Sequence, residues 1–235
     1  MKRALILIAF GAIVGLPFLF RTRQATIENA DETLVIITPH NEALRYEYTR
    51  GFRDWYRART GRTVAIDWRV IGGTSEITRF LESEYVSAFQ QHWTRALGRE
   101  WSSAVQAAFH NPRLTPDDTP AEDTVELAAR RAFLASNTSC GIDIFFGGGS
   151  FDFIRQAGAG RLVDSGIMRL HPEWFNADVI PPSFTGEPYW DRQGRWVGDV
   201  LSSYGMIYNR DSLKRLGIDT EPRAWDDLQD PRLQG

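Results

Sequence analysis

Three short segments carry the residue types from which a ligand site can be built: His40-Asn41-Glu42, Gly72-Gly73-Thr74-Ser75-Glu76 and Gly148-Gly149-Ser150. The last two are glycine-rich and end in hydroxyl residues. Where such a turn opens a helix, its backbone N–H groups form a concave donor set suited to a carboxylate, phosphonate or phosphate. The same glycines also serve simply to let a helix pack closely on a strand. His40 offers an imidazole to a ligand or, as a polar helix-start residue, bonds backbone, and Glu76 adds a carboxylate. Further along, Ser202, Ser203 and Tyr204 present hydroxyls to a polar ligand or to the backbone. Asp199 could neutralise a cation such as a polyamine, with Trp190, Trp196 or Tyr204 as an aromatic wall or as ordinary core residues.

Catalytic sets are missing. No Gly-x-Ser-x-Gly elbow, phosphate-binding loop with Lys or His-Glu-x-x-His occurs, and the four histidines, His40, His92, His110 and His171, lack ligand spacing. The single Cys140 has no disulfide partner in the chain. A net charge of -3 provides no global basic field for nucleic acid. Lys2 and Arg3 precede the apolar run Ala4–Phe20, and Arg21 and Arg23 follow it. Residues 1–30 therefore read as a signal peptide or an N-terminal membrane anchor, the run being at the short end of the roughly 17–25 residues that span a bilayer. Either way the remainder is exported.

Alternating short β-rich runs and amphipathic stretches must position the three turns. Thr33–Thr38 reads as a buried strand ended by Pro39. Glu42–Thr60 reads as a helix, with Leu44, Tyr48, Phe52, Trp55 and Tyr56 recurring every three or four positions and Gly61 at its C-cap position. Thr63–Ile71 is a second strand, and Thr74 or Ser75 caps a helix over Ile77–Glu84. Trp93, Leu97, Trp101, Val105 and Phe109 recur at helical spacing within a helical insertion near 86–137, which closes with a helix over Ala121–Ser136. Gly141–Phe146 resumes the pattern as a third strand, feeding a helix over Phe151–Ala157. Trp196–Asn209 is apolar and β-favouring, long enough to begin in one lobe and end in another, and a short helix follows over Asp211–Gly217. The fold class is α/β, with a doubly wound sheet.

Thr38-Pro39-His40-Asn41-Glu42-Ala43 and Asp143-Ile144-Phe145-Phe146-Gly147-Gly148 stand after the first strand and at the third. Tyr204-Gly205-Met206-Ile207-Tyr208-Asn209 is followed by Trp225-Asp226-Asp227-Leu228-Gln229-Asp230-Pro231-Arg232-Leu233-Gln234-Gly235. Together these resemble the extracellular solute-binding proteins of importers for ferric iron, polyamines, thiamine and phosphonates. The segment 86–137 departs from the compact members of that family. The resemblance implies a two-lobe periplasmic-binding-protein-like fold: residues 31–200 as the first lobe, 201–235 as a hinge strand and the start of a second, incomplete lobe, and a chain that is C-terminally truncated. It implies a monomer that captures a small molecule or metal ion in the periplasm and hands it to an ABC permease and its ATPase.

The ligand-binding set is then His40, Asn41, Glu42, Gly73, Thr74, Ser75, Glu76, Gly148, Gly149, Ser150, Ser203 and Tyr204, with His40 and Glu76 as metal ligands if the solute is ferric iron. No resident cofactor, nucleic-acid partner or catalytic residue is implied. The alternatives are the ligand-sensing domain of a membrane-anchored receptor and a periplasmic hydrolase.

Overall fold

The structure is a computed structural model that describes residues 29–116, 124–184, 186–200 and 205–233. The signal or anchor segment, most of the Pro/Asp-rich loop after Asn111, and Ser203 with Tyr204 lie outside the described residues. Among these residues no helix is long and apolar enough to cross a membrane. Two compact units divide between Trp196 and Val197.

The first unit is built on the parallel sheet β2-β1-β3, formed by β1 (Glu32–Ile37), β2 (Val64–Arg69) and β3 (Ile144–Phe145). Between β1 and β2 runs α1 (Glu42–Thr60), at the predicted bounds because both ends are written locally. Asn41 Oδ1 accepts the Leu44 N–H at 3.0 Å, and Gly61 adopts φ 73° and returns its N–H to Arg57 O. A side-chain cap of this kind contributes about 1 kcal/mol.

Register places Ile36 opposite Trp68, so both side chains point to one face, where Trp68 Nε1 donates to Thr49 of α1 at 2.8 Å. Ile37 points the other way and is buried with Ile77 and Leu81 of α2 (Thr74–Gln91). Helices thus cover both faces of the sheet. β3 is shorter than the six-residue strand expected, because Asp143 turns its carboxylate to accept the Val35 N–H at 2.8 Å, a place that a ladder carbonyl would take.

The helices between β2 and β3 are broken by turns. α2 extends past Glu84 and ends in a π-helical turn, His92–Ala96, after which Gly98 at φ 62° breaks the run before α3 (Ser103–Ala108). The apolar residues at helical spacing therefore fall in two elements and the turns beside them, and Leu97 is exposed while Trp93, Val105 and Phe109 are buried. α4 (Val125–Ala135) completes this part, with Thr124 as its cap, while Ala121, where the helix was expected to begin, lies outside the described residues. Phe89, Phe109 and Phe133 form its centre: Phe89 lies 4.8 Å from Phe109 in a stacked pair and 5.3 Å from Phe133 edge-to-face.

α5 (Ser150–Ala159) follows β3 and ends at Gly160, φ 82°. Arg130 of α4 fastens its end. The guanidinium is 5% exposed and donates to the carbonyls of Phe109, Ala159 and Gly158 at 3.1, 2.6 and 2.9 Å. A short α6 (Ile167–Leu170) and the antiparallel pair β4 (Ser183–Phe184) and β5 (Glu187–Pro188) close the unit.

The second unit holds α7 (Arg210–Arg215) and two 3-10 turns, Trp225–Gln229 and Pro231–Leu233. The long strand expected over Trp196–Asn209 does not appear in its described parts, and Ile207 is 101% exposed. Trp196 O accepts the Asp191 N–H at 3.0 Å and Val197 forms an isolated bridge, but among the described residues no ladder continues from them, and β-propensity alone does not hold a strand.

Candidate functional site

Because β1, β2 and β3 are parallel, the turns that follow them emerge at one edge of the sheet, where ligands of open α/β sheets sit. The turns also touch. Gly147, at φ 92°, leaves room for the His40 ring: a Cβ there would lie 2.5 Å from His40 Nε2. Gly148, at φ 139°, faces Thr74, whose Cγ2 would stand 3.4 Å from an added Cβ. The first and second turns are thereby each joined to the third.

Each predicted residue has a definite place. The His40 ring meets Phe146 edge-on at 4.9 Å, and its backbone N–H donates to Thr38 Oγ1 at 3.1 Å. Asn41 is occupied as the cap of α1, and Glu42 is exposed in that helix's first turn. Gly73 is the N-cap of α2, so Thr74 and Ser75 are its first helical residues and not its caps. Glu76 folds back over the glycines, its Oε2 lying 3.1 Å from where a Gly73 Cβ would be, while its other oxygen accepts from Arg79 at 2.6 Å. In the third turn the Gly149 N–H donates to Asp152 Oδ2 at 3.2 Å, and Ser150 Oγ donates to Glu187 of β5.

Two acidic residues and an aromatic floor were missed in the sequence. Asp152 stands three positions after Gly149, the spacing by which a helix's first turn returns a carboxylate to its N-cap, and that pattern was legible. Glu187 reaches the site only through the β4–β5 pair, with no local signal. Phe146 is flanked by Tyr48 at 4.7 Å and Trp68 at 6.3 Å, side chains of three elements meeting under the edge. Trp190 and Trp196, considered as walls of a cation box, are engaged elsewhere: Trp190 Nε1 donates to Ile180 O at 3.1 Å, and Trp196 is buried on Phe153.

These contacts bear on the charge of a ligand. Two donors that an anion would use, Gly149 N–H and Ser150 Oγ–H, already face carboxylates, and the first turns of α1, α2 and α5 each carry an acid: Glu42, Glu76 and Asp152. Fixed negative charge at helix N-termini offsets the dipole that would attract an anion. Among the described residues no group of three or more His, Cys, Asp or Glu side chains stands close enough to hold a metal ion.

Residues 139–235 match the family model of bacterial extracellular solute-binding proteins. The resemblance read from the sequence is borne out over that stretch. The solute-binding match takes in the third turn, with Gly147 to Ser150, Asp152 and Glu187; the turns after β1 and β2 lie outside it. Neither the curated proteins nor the solved structures contain a match to the chain. The match supports a substrate-binding role in transport.

Proposed function

We propose that the chain provides the first lobe of the solute-binding component of an ATP-driven importer. The solute is held at the edge where β2, β1 and β3 end, between two lobes in the periplasm, and is delivered by a monomer to a membrane permease and its ATPase. Closure shifts the population of open and closed forms, the closed form being the one the permease receives. The observation that carries this reading is the convergence of three strand-to-helix turns, Gly147 against His40 and Gly148 against Thr74, in a chain with a solute-binding match.

The carboxylates of Glu42, Glu76, Asp152 and Glu187 favour a cationic solute over a phosphonate. The floor of Phe146, Tyr48 and Trp68 suits the alkyl spacers and ammonium groups of a linear polyamine. Ferric iron needs at least one ligand beyond His40 and Glu76. Calorimetric titration of the full-length protein with a linear polyamine and with methylphosphonate tests the assignment. Glu76→Gln and Glu187→Gln are each expected to weaken polyamine binding about tenfold, equivalent to about 1.4 kcal/mol, without lowering the melting temperature. Unchanged polyamine affinity in both variants, or phosphonate bound more tightly than polyamine by the parent, contradicts it.

A further inference from the structure

Away from the sheet edge, His110 sits where α2 and α3 meet, beside a groove of about 610 Å³ lined in part by Arg79, Glu82, Ser103 and Gln106. Its ring packs edge-on against Phe109 at 4.4 Å, and its Nε2 lies 3.5 Å from Glu82 Oε1. The other ring nitrogen, Nδ1, is buried and has no hydrogen-bond partner. We infer that His110 is an acid-sensitive strut: proton uptake at this ring loosens α3 and its turn from α2, so that the helical insertion softens as the medium acidifies.

The charges around the ring are mostly positive. From α2, Glu82 faces the ring, while Arg79, which lines the same groove, is paired with Glu76; Arg155 of α5 and the Arg161 that follows it add two guanidiniums, and Arg130 of α4 a third. Glu82 is the carboxylate that opposes them, and Arg155 shares it at 4.0 Å. Tyr85 of α2 adds a neutral phenol, which donates to the Arg161 carbonyl at 3.2 Å. A proton on His110 would thus bring positive charge into a cationic neighbourhood and give Nδ1 a buried N–H with no acceptor. An unmatched buried donor costs folded structure its stability. The neutral ring avoids the added charge and the buried N–H, its Nδ1 being then an acceptor without a partner and its Nε2 lying 3.5 Å from Glu82 Oε1. Burial first, then the Arg161 charge, hold its pKa below the ordinary histidine value.

The sign follows. The unfolded chain takes the proton near pH 6.5 while the folded chain resists it, so stability is whole above about 6.5 and is lost as pH falls from there toward the lowered folded value. The loss is at most about tenfold in the folded-to-unfolded ratio per pH unit for one proton. Ordinary carboxylates titrate near pH 4, below this window.

Thermal melts of the full-length protein between about pH 7.5 and about pH 5.5 test the inference against His110→Gln, which keeps a donor toward Glu82 but cannot titrate. The parent is expected to lose up to about tenfold in that ratio and the variant to stay level. A parent that stays level, or a variant that falls as the parent does, overturns it. Should the variant fail to fold, hydrogen exchange of the parent decides. After correction for intrinsic rates, residues 103–110 exchange faster at the lower pH if His110 acts as proposed, and unchanged protection there refutes it.

Discussion

Arg130→Met is expected to lower the unfolding free energy by about 3–5 kcal/mol, read from denaturant melts followed by circular dichroism. The guanidinium joins three elements through carbonyls that have no other partner in their helices: Phe109 after α3, and Gly158 and Ala159 at the end of α5. A methionine of similar length fills the space but leaves two buried acceptors and a half-buried one facing apolar atoms, each buried one costing about 1–3 kcal/mol before relaxation. Arg130→Lys separates charge from geometry, since one ammonium cannot span the three carbonyls, and it should recover only part of the loss. A change below about 1 kcal/mol in the methionine variant would mean that the bridge is ornamental. Against a typical total of about 5–15 kcal/mol, a loss of the predicted size leaves the chain near its folding limit.

Phe89→Ala should cost a similar amount, about 3–5 kcal/mol, but for an apolar reason. Phe89 is fully buried and touches the rings of Trp93, Trp101, Phe109 and Phe133. No single neighbour can close the space it vacates, because the four rings approach from different elements. The same melts report it, and Phe89→Leu, which keeps most of the volume, should fall well short of the alanine loss. Equal losses for Leu and Ala would point to the aromatic edge contacts and not to the cavity.

These two residues also mark where the sequence stops being readable. α1 was legible to the residue, since Asn41, the apolar face and Gly61 all act within a turn of their own position. The parallel sheet and its edge of turns followed from the order of runs and glycines. Arg130, by contrast, looks like any charge on a helix, and only the folded chain brings two helix ends to it. The helical spacing from Trp93 to Phe109 gives no sign of the break that Gly98 introduces, because periodicity does not report it. Trp196–Asn209 was read as a strand because propensity does not report whether a partner strand is present.

At the site the balance is similar. The glycine turns, His40 and Glu76 were visible as candidates, and the glycines prove to have a steric task, admitting His40 and Thr74. The carboxylates beside the turns were less legible, because Glu76 and Asp152 turn back over their own helix starts and Glu187 arrives from a distant pair of strands. Charge at a site is a sum over elements, and only the local part of that sum is written in a short stretch of sequence.

The measurement that most directly tests capture at this edge is calorimetric titration of the full-length protein with a linear polyamine, run beside Gly147→Ala. A methyl group at Gly147 would enter the space of the His40 ring at a backbone angle that L-residues rarely adopt, separating the first turn from the third. The account predicts saturable binding that weakens as salt is raised and is lost or reduced at least about tenfold in the variant. Equal binding by the two proteins, or no saturable binding by the parent, would contradict it.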